Sequence, residues 1–158
     1  LNVKAVETIC RIKGINPAKN HLSIVCDDIS RASEYARIDD TGFRLMRDYT
    51  PGAVTFLFRA LNTLPKAFRG RKTVGVRIPG NAVARAIVAR MSRPLLTASV
   101  EHDDEDIMRN PELLAEQYEG EASLLVDGGD GGTEVSTIVN CTGMHPEITR
   151  VGKMDVDL

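Results

Sequence analysis

The sequence is poor in cysteine and aromatic residues and has no long apolar run. Three of its 158 residues are cysteines, none is tryptophan, and aromatic residues make up 4%. Cys10, Cys26 and Cys141 are widely separated and form no C-x-x-C pair, which argues against a disulfide framework and against a zinc site. No stretch approaches the roughly 18 apolar residues of a membrane span, and no signal peptide is visible. We therefore expect a cytoplasmic protein without a membrane partner.

The size and composition suit one ordinary domain. Apolar residues make up 42% of the chain and charged residues 27%, which is enough to form a single hydrophobic core. We therefore expect one domain spanning residues 1–158. The chain opens at Leu1 inside an amphipathic stretch that reads as a helix towards Lys13, and leucine is not a usual first residue. For this reason we expect an N-terminal segment to be missing from the domain.

Acidic residues are scarce in the first two thirds of the chain. Residues 1–100 contain 17 Lys and Arg against 7 Asp and Glu, a net charge of +10, whereas residues 101–158 contain 3 against 15, a net charge of −12. A basic half of this strength attracts phosphates or a nucleic-acid backbone. The alternative is that its arginines are solvated or paired with the acidic half.

Hydrophobic periodicity and capping residues predict helices that alternate with strands. The predicted helices run from Asn2 to Gly14, from Asp28 towards Arg37, from Asp40 through Met46, from Asn81 to Met91 and from Pro111 to Tyr118, with Asn2, Asp40 and Asn81 as predicted N-caps. The predicted strands are residues 21–26, 53–59, 73–79, 95–99, 123–127, 135–141 and 147–151, and residues 101–106 are predicted to be an acidic loop. This pattern predicts an α/β (α+β) fold with a mixed twisted sheet and flanking helices. Its last strands follow one another closely and are expected to be antiparallel.

The predicted core combines apolar residues from three strands and one helix. Its members are Val54, Phe56, Val74, Val76, Ile87 and Leu96.

An arginine stands inside one of the apolar strands. In the segment T-V-G-V-R-I-P the apolar residues share one face, and Thr73, Gly75 and Arg77 share the other. Because burying an unpaired charge is costly, Arg77 needs an anionic partner. That partner is either a carboxylate of the protein or an anionic ligand, and a hydroxyl on the same face suits a ligand.

Three further segments carry groups that suit an anion, and each has an ordinary alternative. Lys13 and Asn20 flank the loop after the first helix, although a cation at a helix C-terminus also favours the helix dipole. The hydroxyls of Thr97 and Ser99 point the same way on a strand and can donate to phosphate, although strands often end in small polar residues. The segment V-S-T-I-V, which contains Ser136, is followed at a distance by the guanidinium of Arg150.

Other catalytic signatures are lacking. The glycine-rich run at 128–132 does not end in G-K-[ST] and does not open a helix, so it reads as a turn and not as a phosphate loop. No Ser-His-Asp or Cys-His arrangement can be argued. The acidic cluster at 101–106 reads as a solvated loop, so no metal site is predicted.

Taken in order, these segments resemble the YrdC/YciO family of threonylcarbamoyl-adenylate synthase-like proteins. The resemblance rests on K-G-I-N-P-A-K-N, L-S-I-V-C-D-D, F-R-L-M-R-D-Y-T-P-G-A-V-T-F-L-F, K-T-V-G-V-R-I-P-G-N, R-P-L-L-T-A-S, V-S-T-I-V-N-C-T-G and P-E-I-T-R-V-G. It covers almost the whole chain and is closest to the YciO branch. In the family, the segment expected to be missing carries a P-T-x-T-x-Y-G-L motif that forms part of the threonine pocket.

The resemblance implies a mixed α/β fold around a large, positively charged concave surface. It implies binding of double-stranded RNA or tRNA and of ATP, with Mg²⁺ as a candidate accompanying ion and no tightly bound cofactor. The active members join ATP, threonine and bicarbonate into threonylcarbamoyl-adenylate and release pyrophosphate, in a pathway that modifies tRNA next to the anticodon.

The resemblance also implies roles for individual residues. It assigns Lys13 and Arg77 to catalysis, with Arg77 and Ser136 contacting threonine. It assigns nucleotide contacts to four residues, namely Asn20, Thr73, Ser99 and Arg150. We expect Lys13, Arg77 and Arg150 to converge on one concave surface, and we expect RNA to contact the basic connector at Arg69, Arg71 and Lys72.

Three positions depart from the pattern of active members. Ile15 stands where the K-x-R motif has its arginine, Val25 replaces a histidine that contacts threonine, and Glu101 replaces the asparagine of S-x-N. Losing one group that stabilises a transition state typically costs about 10²–10³ in rate. Three hypotheses therefore remain: a binding protein with weak or altered catalysis, an efficient synthase, and an α/β protein with an unused cleft.

Overall fold

The computed structural model describes residues 3–15, 23–62, 64, 72–100 and 103–158. These residues form two compact units, one made of residues 1–98 and 135–158 and the other made of residues 99–134. The first unit contains the whole of the described β-sheet, and the second contains two short helices.

The sheet of the first unit is mixed. Its strands are β1 (Ser23–Val25), β2 (Ala36–Arg37), β3 (Val54–Ala60), β4 (Thr73–Arg77), β5 (Leu95–Thr97), β6 (Thr137–Asn140) and β7 (Glu147–Arg150). They lie in the order β5-β1-β4-β3-β6-β7, with β2 paired to β3 beside that path. The pairs β1–β4 and β3–β6 are parallel, and the other pairs are antiparallel, including the predicted β6–β7 pair.

The described helices alternate with these strands. They are α1 (Val3–Ile12), α2 (Ile29–Ser33), α3 (Asp40–Tyr49), α4 (Ala82–Met91), α5 (Glu105–Arg109) and α6 (Pro111–Gln117). Side chains cap several of them as expected for Asp and Asn at the N-cap. Asp28 accepts from the N–H of Arg31, and Asn81 accepts from the N–H of Ala84 at 2.9 Å. Gly14, which follows α1, has φ +58°, the left-handed conformation expected of a glycine that ends a helix.

One face of the sheet forms the hydrophobic core. Val54, Phe56 and Phe58 alternate along β3 on this face and are at most 1% exposed. Val6 and Cys10 of α1 join the same cluster. The predicted core residues are confirmed except Ile87, which is only half-buried, because α4 instead buries Val88.

The opposite face carries polar side chains at the same registers. Thr55, Leu57 and Arg59 alternate with the core residues of β3. Leu57 pairs with Gly75 of β4 and Arg59 pairs with Thr73, and Arg77 lies two residues beyond Gly75 on the same face. Because side chains of one strand alternate between faces, the threonines and arginines of both strands share this second face.

Several boundaries predicted from the sequence are wrong. The helix from Asp28 ends at Ser33, and the residues expected to continue it pair with β3 as the short strand β2. The cap of α3 is Asp39, whose Oδ1 accepts from the N–H of Gly42 at 2.8 Å. The strand β5 ends at Thr97, so Thr97 and Ser99 do not share a strand face.

The acidic region also differs from its prediction. Glu105, expected in a loop, begins α5, because Asp104 accepts from the N–H of Asp106 and caps the helix. No strand forms at residues 123–127, where every residue is exposed and Leu124 is 80% exposed. A short run of apolar residues does not make a strand without a neighbouring strand to pair with.

Candidate functional site

Two arginines lie on the polar face at one end of the sheet. Arg77 is the last residue of β4, and Arg150 is the last residue of β7. Burial lowers the pKa of Arg77, and the nearby positive charge of Arg150 lowers it further. Like charges placed together in a partly buried site destabilise each other, so the pair creates a local excess of positive charge.

Hydroxyl groups lie beside the arginine pair. Arg150 donates from Nε and Nη2 to the carbonyl oxygen of Ser136 at 3.1 and 2.9 Å, and from Nη2 to Ser136 Oγ at 3.2 Å. Ser136 Oγ lies 2.9 Å from Thr55 Oγ1. Both hydroxyl residues are buried. These hydrogen bonds join Arg150, Ser136 and Thr55, and the charge of Arg150 lowers the pKa of Arg77. The four residues are here called the arginine cluster.

The arginine cluster lacks an anion among the described residues. Arg77 Nε is buried and has no hydrogen-bond partner, and neither Arg77 nor Arg150 forms an ion pair with a described carboxylate. A buried donor left without a partner costs about 1–3 kcal/mol. The geometry is thus suited to a carboxylate or a phosphate supplied from outside the described residues.

A close backbone contact holds the end of β7 against the start of β6. A Cβ on Gly152 would lie 2.4 Å from the carbonyl oxygen of Val135 and 2.6 Å from the N of Thr137. The N–H of Gly152 donates to Thr137 Oγ1 at 3.0 Å. Arg150 precedes Gly152 by two residues, and the carbonyl carbon of Ser136 is one of the backbone atoms that Gly152 approaches. Glycine at 152 therefore allows the approach that places Arg150 on Ser136.

Val25 lies next to Arg77 on the neighbouring strand. The two residues are register partners in the parallel β1–β4 pair, and the N–H of Cys26 donates to the carbonyl oxygen of Arg77 at 2.9 Å. Val25 is buried, and its side chain has no polar atom. It borders the arginine cluster without being able to hydrogen-bond a ligand there.

The other predicted site residues lie elsewhere or outside the described residues. Lys13 follows the last residue of α1 and is half-buried, and Ile15 packs against the hydrophobic core. Ser99 is exposed and belongs to the unit of residues 99–134. The residues outside the described ranges are Asn20, Arg69, Arg71 and Glu101. The convergence of Lys13 with the two arginines stays a prediction.

Thr73 lies at the opposite end of β4 from Arg77. It lines a groove of about 550 Å³ with Arg37, Arg59 and Lys72. At about 3.3 Å per strand residue, the two ends of β4 are roughly 13 Å apart. The shared strand face predicted for Thr73 and Arg77 is correct, but Thr73 is not part of the arginine cluster.

Sequence reasoning missed three polar residues of this face. Thr55 was hidden in an apolar run, and its contact with Ser136 spans 81 residues of chain. Arg37 was placed at the end of a helix. Arg59 carried a usable signal, because it follows five buried residues of an apolar strand in the same way as Arg77.

The described histidine, cysteine, aspartate and glutamate side chains form no group of three or more that could hold a metal ion. The buried thiol of Cys26 has its pKa raised to about 12 by burial and by the negative charges of Asp27 and Asp28. A thiol with so high a pKa is a poor nucleophile. No helix in the described part of the chain has the length and apolar character needed to cross a bilayer.

The fold and the arginine cluster define a mixed α/β protein with a cationic site at one end of its sheet. The model of the Sua5/YciO/YrdC family, whose description reads "Telomere recombination", matches residues 1–152. The chain belongs to this family, as its motifs predicted.

Relatives within the family differ in what is known of them. The chain is 32% identical over 155 residues to the uncharacterised protein YciO of Escherichia coli (strain K12). The aligned region covers 96% of this chain and 75% of that protein. It is 29% identical over 157 residues to threonylcarbamoyl-AMP synthase of Bacillus subtilis (strain 168). The aligned region covers 96% of this chain but only 44% of the synthase.

Solved structures confirm the predicted fold. The crystal structure of E. coli YciO matches with a TM-score of 0.87 at 31% identity, over 96% of this chain and 75% of that one. The crystal structure of Pyrococcus abyssi Sua5 complexed with L-threonine matches with a TM-score of 0.80, over 94% of this chain and 44% of that one. The second match, at 23% identity, shows the fold alone.

Proposed function

We propose that this protein binds ATP and RNA and makes threonylcarbamoyl-adenylate only slowly. The main support for ATP binding is the arginine cluster, where two guanidiniums lack a carboxylate partner among the described residues. Guanidinium groups bind phosphate and carboxylate with paired, charge-assisted hydrogen bonds. An ATP phosphate at Arg150 and the carboxylate of threonine at Arg77 would neutralise the cluster.

The hydroxyl residues give the cluster its orientation. Arg150 is held by the carbonyl and the hydroxyl of Ser136, so its guanidinium has a defined direction before a ligand arrives. Such preorganised donors stabilise charge without reorganising during the reaction. We assign Arg77 and Ser136 to threonine and Arg150 to the nucleotide, with Asn20, Thr73 and Ser99 as further candidate nucleotide contacts and Lys13 as a candidate catalytic cation.

The proposed slowness rests on three departures from the pattern of active members, of which Val25 borders the arginine cluster. Val25 cannot hydrogen-bond threonine as a histidine would. Ile15 packs against the core and supplies no phosphate-facing charge. A glutamate at 101 would repel a triphosphate unless a proton or a metal ion compensated it. Mg²⁺ is the candidate ion and would arrive on the triphosphate, since it is usually bound through substrate phosphates and one or two carboxylates.

Calorimetry and a pyrophosphate-release assay test this proposal together. We expect the wild-type protein to bind ATP but to release threonine-dependent pyrophosphate about 10² times more slowly than an active synthase of the family, because transition-state contacts are lost. The variant Ile15→Arg combined with Glu101→Asn is expected to raise that rate. The reaction mixture contains ATP, threonine and bicarbonate.

Two controls separate catalysis from packing and from general charge. Ile15→Met keeps an apolar side chain on the core and should leave the rate unchanged, and Asp103→Asn removes a neighbouring charge and should do the same. A wild-type rate equal to that of an active synthase would refute slow catalysis. It would favour the second candidate, an efficient synthase, which the match to the B. subtilis enzyme supports.

RNA binding is proposed for the basic connector, of which Lys72 is described and exposed and Arg69 and Arg71 lie outside the described residues. Because phosphate contacts release counterions, we expect affinity for double-stranded RNA or tRNA to fall at least about tenfold between about 50 and about 200 mM salt. Charge reversal at Lys72 should weaken binding equally for unrelated RNA sequences. Fluorescence anisotropy with two RNA duplexes measures both effects.

The matched control for Lys72→Glu is Arg44→Glu, an exposed arginine of α3. Equal losses for both variants would mean that net charge, and not the connector, governs binding. Affinity that does not change with salt, or no binding at low salt, would count against RNA as a partner.

We also propose that residues 1–158 act as one family domain in the cytoplasm. The family match spans both compact units, and Cys10, Cys26 and Cys141 are free thiols, which suits a reducing compartment.

A further inference from the structure

Aliphatic side chains border the arginine cluster on the same face of the sheet. Val25 of β1 is the register partner of Arg77, and Ile138 of β6 is the register partner of both Thr55 and Arg150. Register partners on neighbouring strands place their side chains on the same face. A ligand that reaches Arg77 from this face therefore meets the side chain of Val25.

The packing of β1 on β4 confirms which face of β1 this is. A Cβ on Gly75 would meet the Oγ and Cβ atoms of Ser23, so the side chain of Ser23 lies over Gly75 on the polar face. Val25 follows Ser23 by two residues and therefore shares its face. At about 3.3 Å per strand residue, the two side chains are roughly 7 Å apart along the strand. The hydroxyl of Ser23 is thus out of reach of a ligand group that packs on Val25.

The two hydroxyls of the arginine cluster are already engaged with each other. Ser136 Oγ lies 2.9 Å from Thr55 Oγ1 and accepts from Arg150 Nη2 at 3.2 Å. Thr55 and Ser136 are only 7% and 6% exposed, so neither is readily offered to a hydroxyl of a ligand. If Ser136 donates to Thr55, its remaining lone pair suits the ammonium group that every α-amino acid carries.

These surroundings fit a carboxylate with an aliphatic body better than a carboxylate with a hydroxyl on its body. Arg77 Nε has no hydrogen-bond partner, and a guanidinium suits a carboxylate. Val25 is buried and has no polar atom, so a hydroxyl placed against it would lose water and gain no partner. An unpaired polar group of this kind is costly, whereas a methyl group in the same place makes ordinary apolar contact.

We propose that the amino-acid site at Arg77 selects a β-branched aliphatic amino acid, represented by L-valine, over L-threonine. The two amino acids have nearly the same shape and differ by a hydroxyl in place of a methyl group, and Val25 is the residue that discriminates between them. The inference rests on the proposed function, since it takes Arg77 as the contact for the carboxylate of an amino acid. It also gives a physical reason for slow turnover of threonine.

Calorimetry on the wild-type protein compares three amino acids that share one backbone. L-valine should bind at least about tenfold more tightly than L-threonine, and up to about 10²-fold, which an apolar pocket achieves between these side chains. L-alanine, which lacks both methyl groups of valine, should bind at least about tenfold more weakly than L-valine. The inference is wrong if threonine binds as tightly as valine, or if alanine does. This comparison does not depend on any variant being folded.

The variant Val25→Thr tests the discriminating residue. It keeps the shape of the side chain and adds a hydroxyl beside Arg77, so the preference for valine over threonine should fall at least about tenfold. The matched control Val83→Thr makes the same exchange on α4, where Val83 is 46% exposed, and should leave the preference unchanged. An unchanged preference in Val25→Thr, or an equal fall in the control, overturns the role of Val25.

A second control addresses the nearby hydroxyl of β1. Ser23→Ala should leave the preference for valine unchanged, because Ser23 lies too far along the strand to contact a group on Val25. Weaker binding of threonine alone to this variant would show that Ser23 binds the hydroxyl of threonine, and would overturn the inference.

The outcomes separate this inference from the proposed function. Threonine that binds as tightly as valine contradicts the inference alone and leaves threonine as the proposed substrate. ATP binding without binding of any of the three amino acids contradicts the proposed amino-acid site, and the inference falls with it while the nucleotide proposal stands. Arg77→Met should lose both valine and threonine, since both present the same carboxylate. Valine binding that survives this substitution would place the valine site elsewhere and overturn the inference.

Discussion

Replacing Arg77 with methionine should stabilise the ligand-free protein while removing its response to threonine. Arg77 is partly buried, its Nε has no hydrogen-bond partner, and Arg150 adds a like charge. The lowered pKa means that the folded state disfavours the charged form, so protonated Arg77 destabilises the fold at every pH below its pKa. Apolar replacement of buried charges often stabilises by about 1–4 kcal/mol. We expect about 1–2 kcal/mol here, since Arg77 remains partly exposed.

Urea unfolding with and without threonine measures both parts of this prediction. A bound ligand at about 100 times its dissociation constant stabilises a protein by about 2.7 kcal/mol, and Arg77→Met should lose most of that gain. The control Arg90→Met alters an exposed arginine and should change stability by no more than about 0.5 kcal/mol. If Arg77→Met destabilises the ligand-free protein, Arg77 already has an anionic partner within the chain and the arginine cluster is structural.

Replacing Gly152 with alanine should cost at least about 3 kcal/mol, the upper end of the range for overpacked sites. The new Cβ would lie within 2.6 Å of the carbonyl oxygen of Val135, the carbonyl carbon of Ser136 and the N of Thr137. All three are backbone atoms, so no side-chain rotation can relieve the contact. The carboxyl end of β7 would have to move away from the start of β6 and carry Arg150 off Ser136.

Thermal or urea unfolding checks the Gly152→Ala effect, and Gly80→Ala is its matched control. A Cβ at Gly80 would meet nothing within 4 Å, and Gly80 does not have a positive φ. Its replacement should be neutral or stabilise by up to about 1 kcal/mol through the unfolded chain. Similar stability changes for the two variants would show that the β6–β7 contact tolerates a methyl group. ATP affinity of any folded Gly152→Ala protein should also fall, because Arg150 is displaced.

Several features could be predicted correctly from the sequence, because they depend on residues that are close together along the chain. Asn81 was recognised as the cap of α4 because its side chain and the helix it starts are adjacent in sequence. Arg77 was singled out because a charge inside an apolar strand conflicts with burial. The family resemblance assigns Ser136 and Arg150 to the same site as Arg77, although they are 59 and 73 residues away in the sequence (136 − 77 and 150 − 77). In the structure Arg150 donates to Ser136, and its charge lowers the pKa of Arg77.

Elements that depend on a distant partner were misread. Residues 36–37 continue a helical pattern but form β2, because β3 offers a backbone ladder. Residues 123–127 contain a short apolar run that suggests a strand but have no described strand beside them. In both cases the local pattern was ambiguous, and pairing with another strand decided between the alternatives.

The amino-acid sequence alone established the family, the mixed α/β class, most of the core and the arginine that needs an anion. Each of these follows from residue types at fixed spacing, because caps, periodicity and motifs act over a few residues. The division of the polar face into two cationic ends came only from the folded sheet. Register pairs Arg37 with Arg59 at one end and brings Arg77 near Arg150 at the other. Such pairings join residues across turns and crossovers, and the spacing along the chain does not encode them.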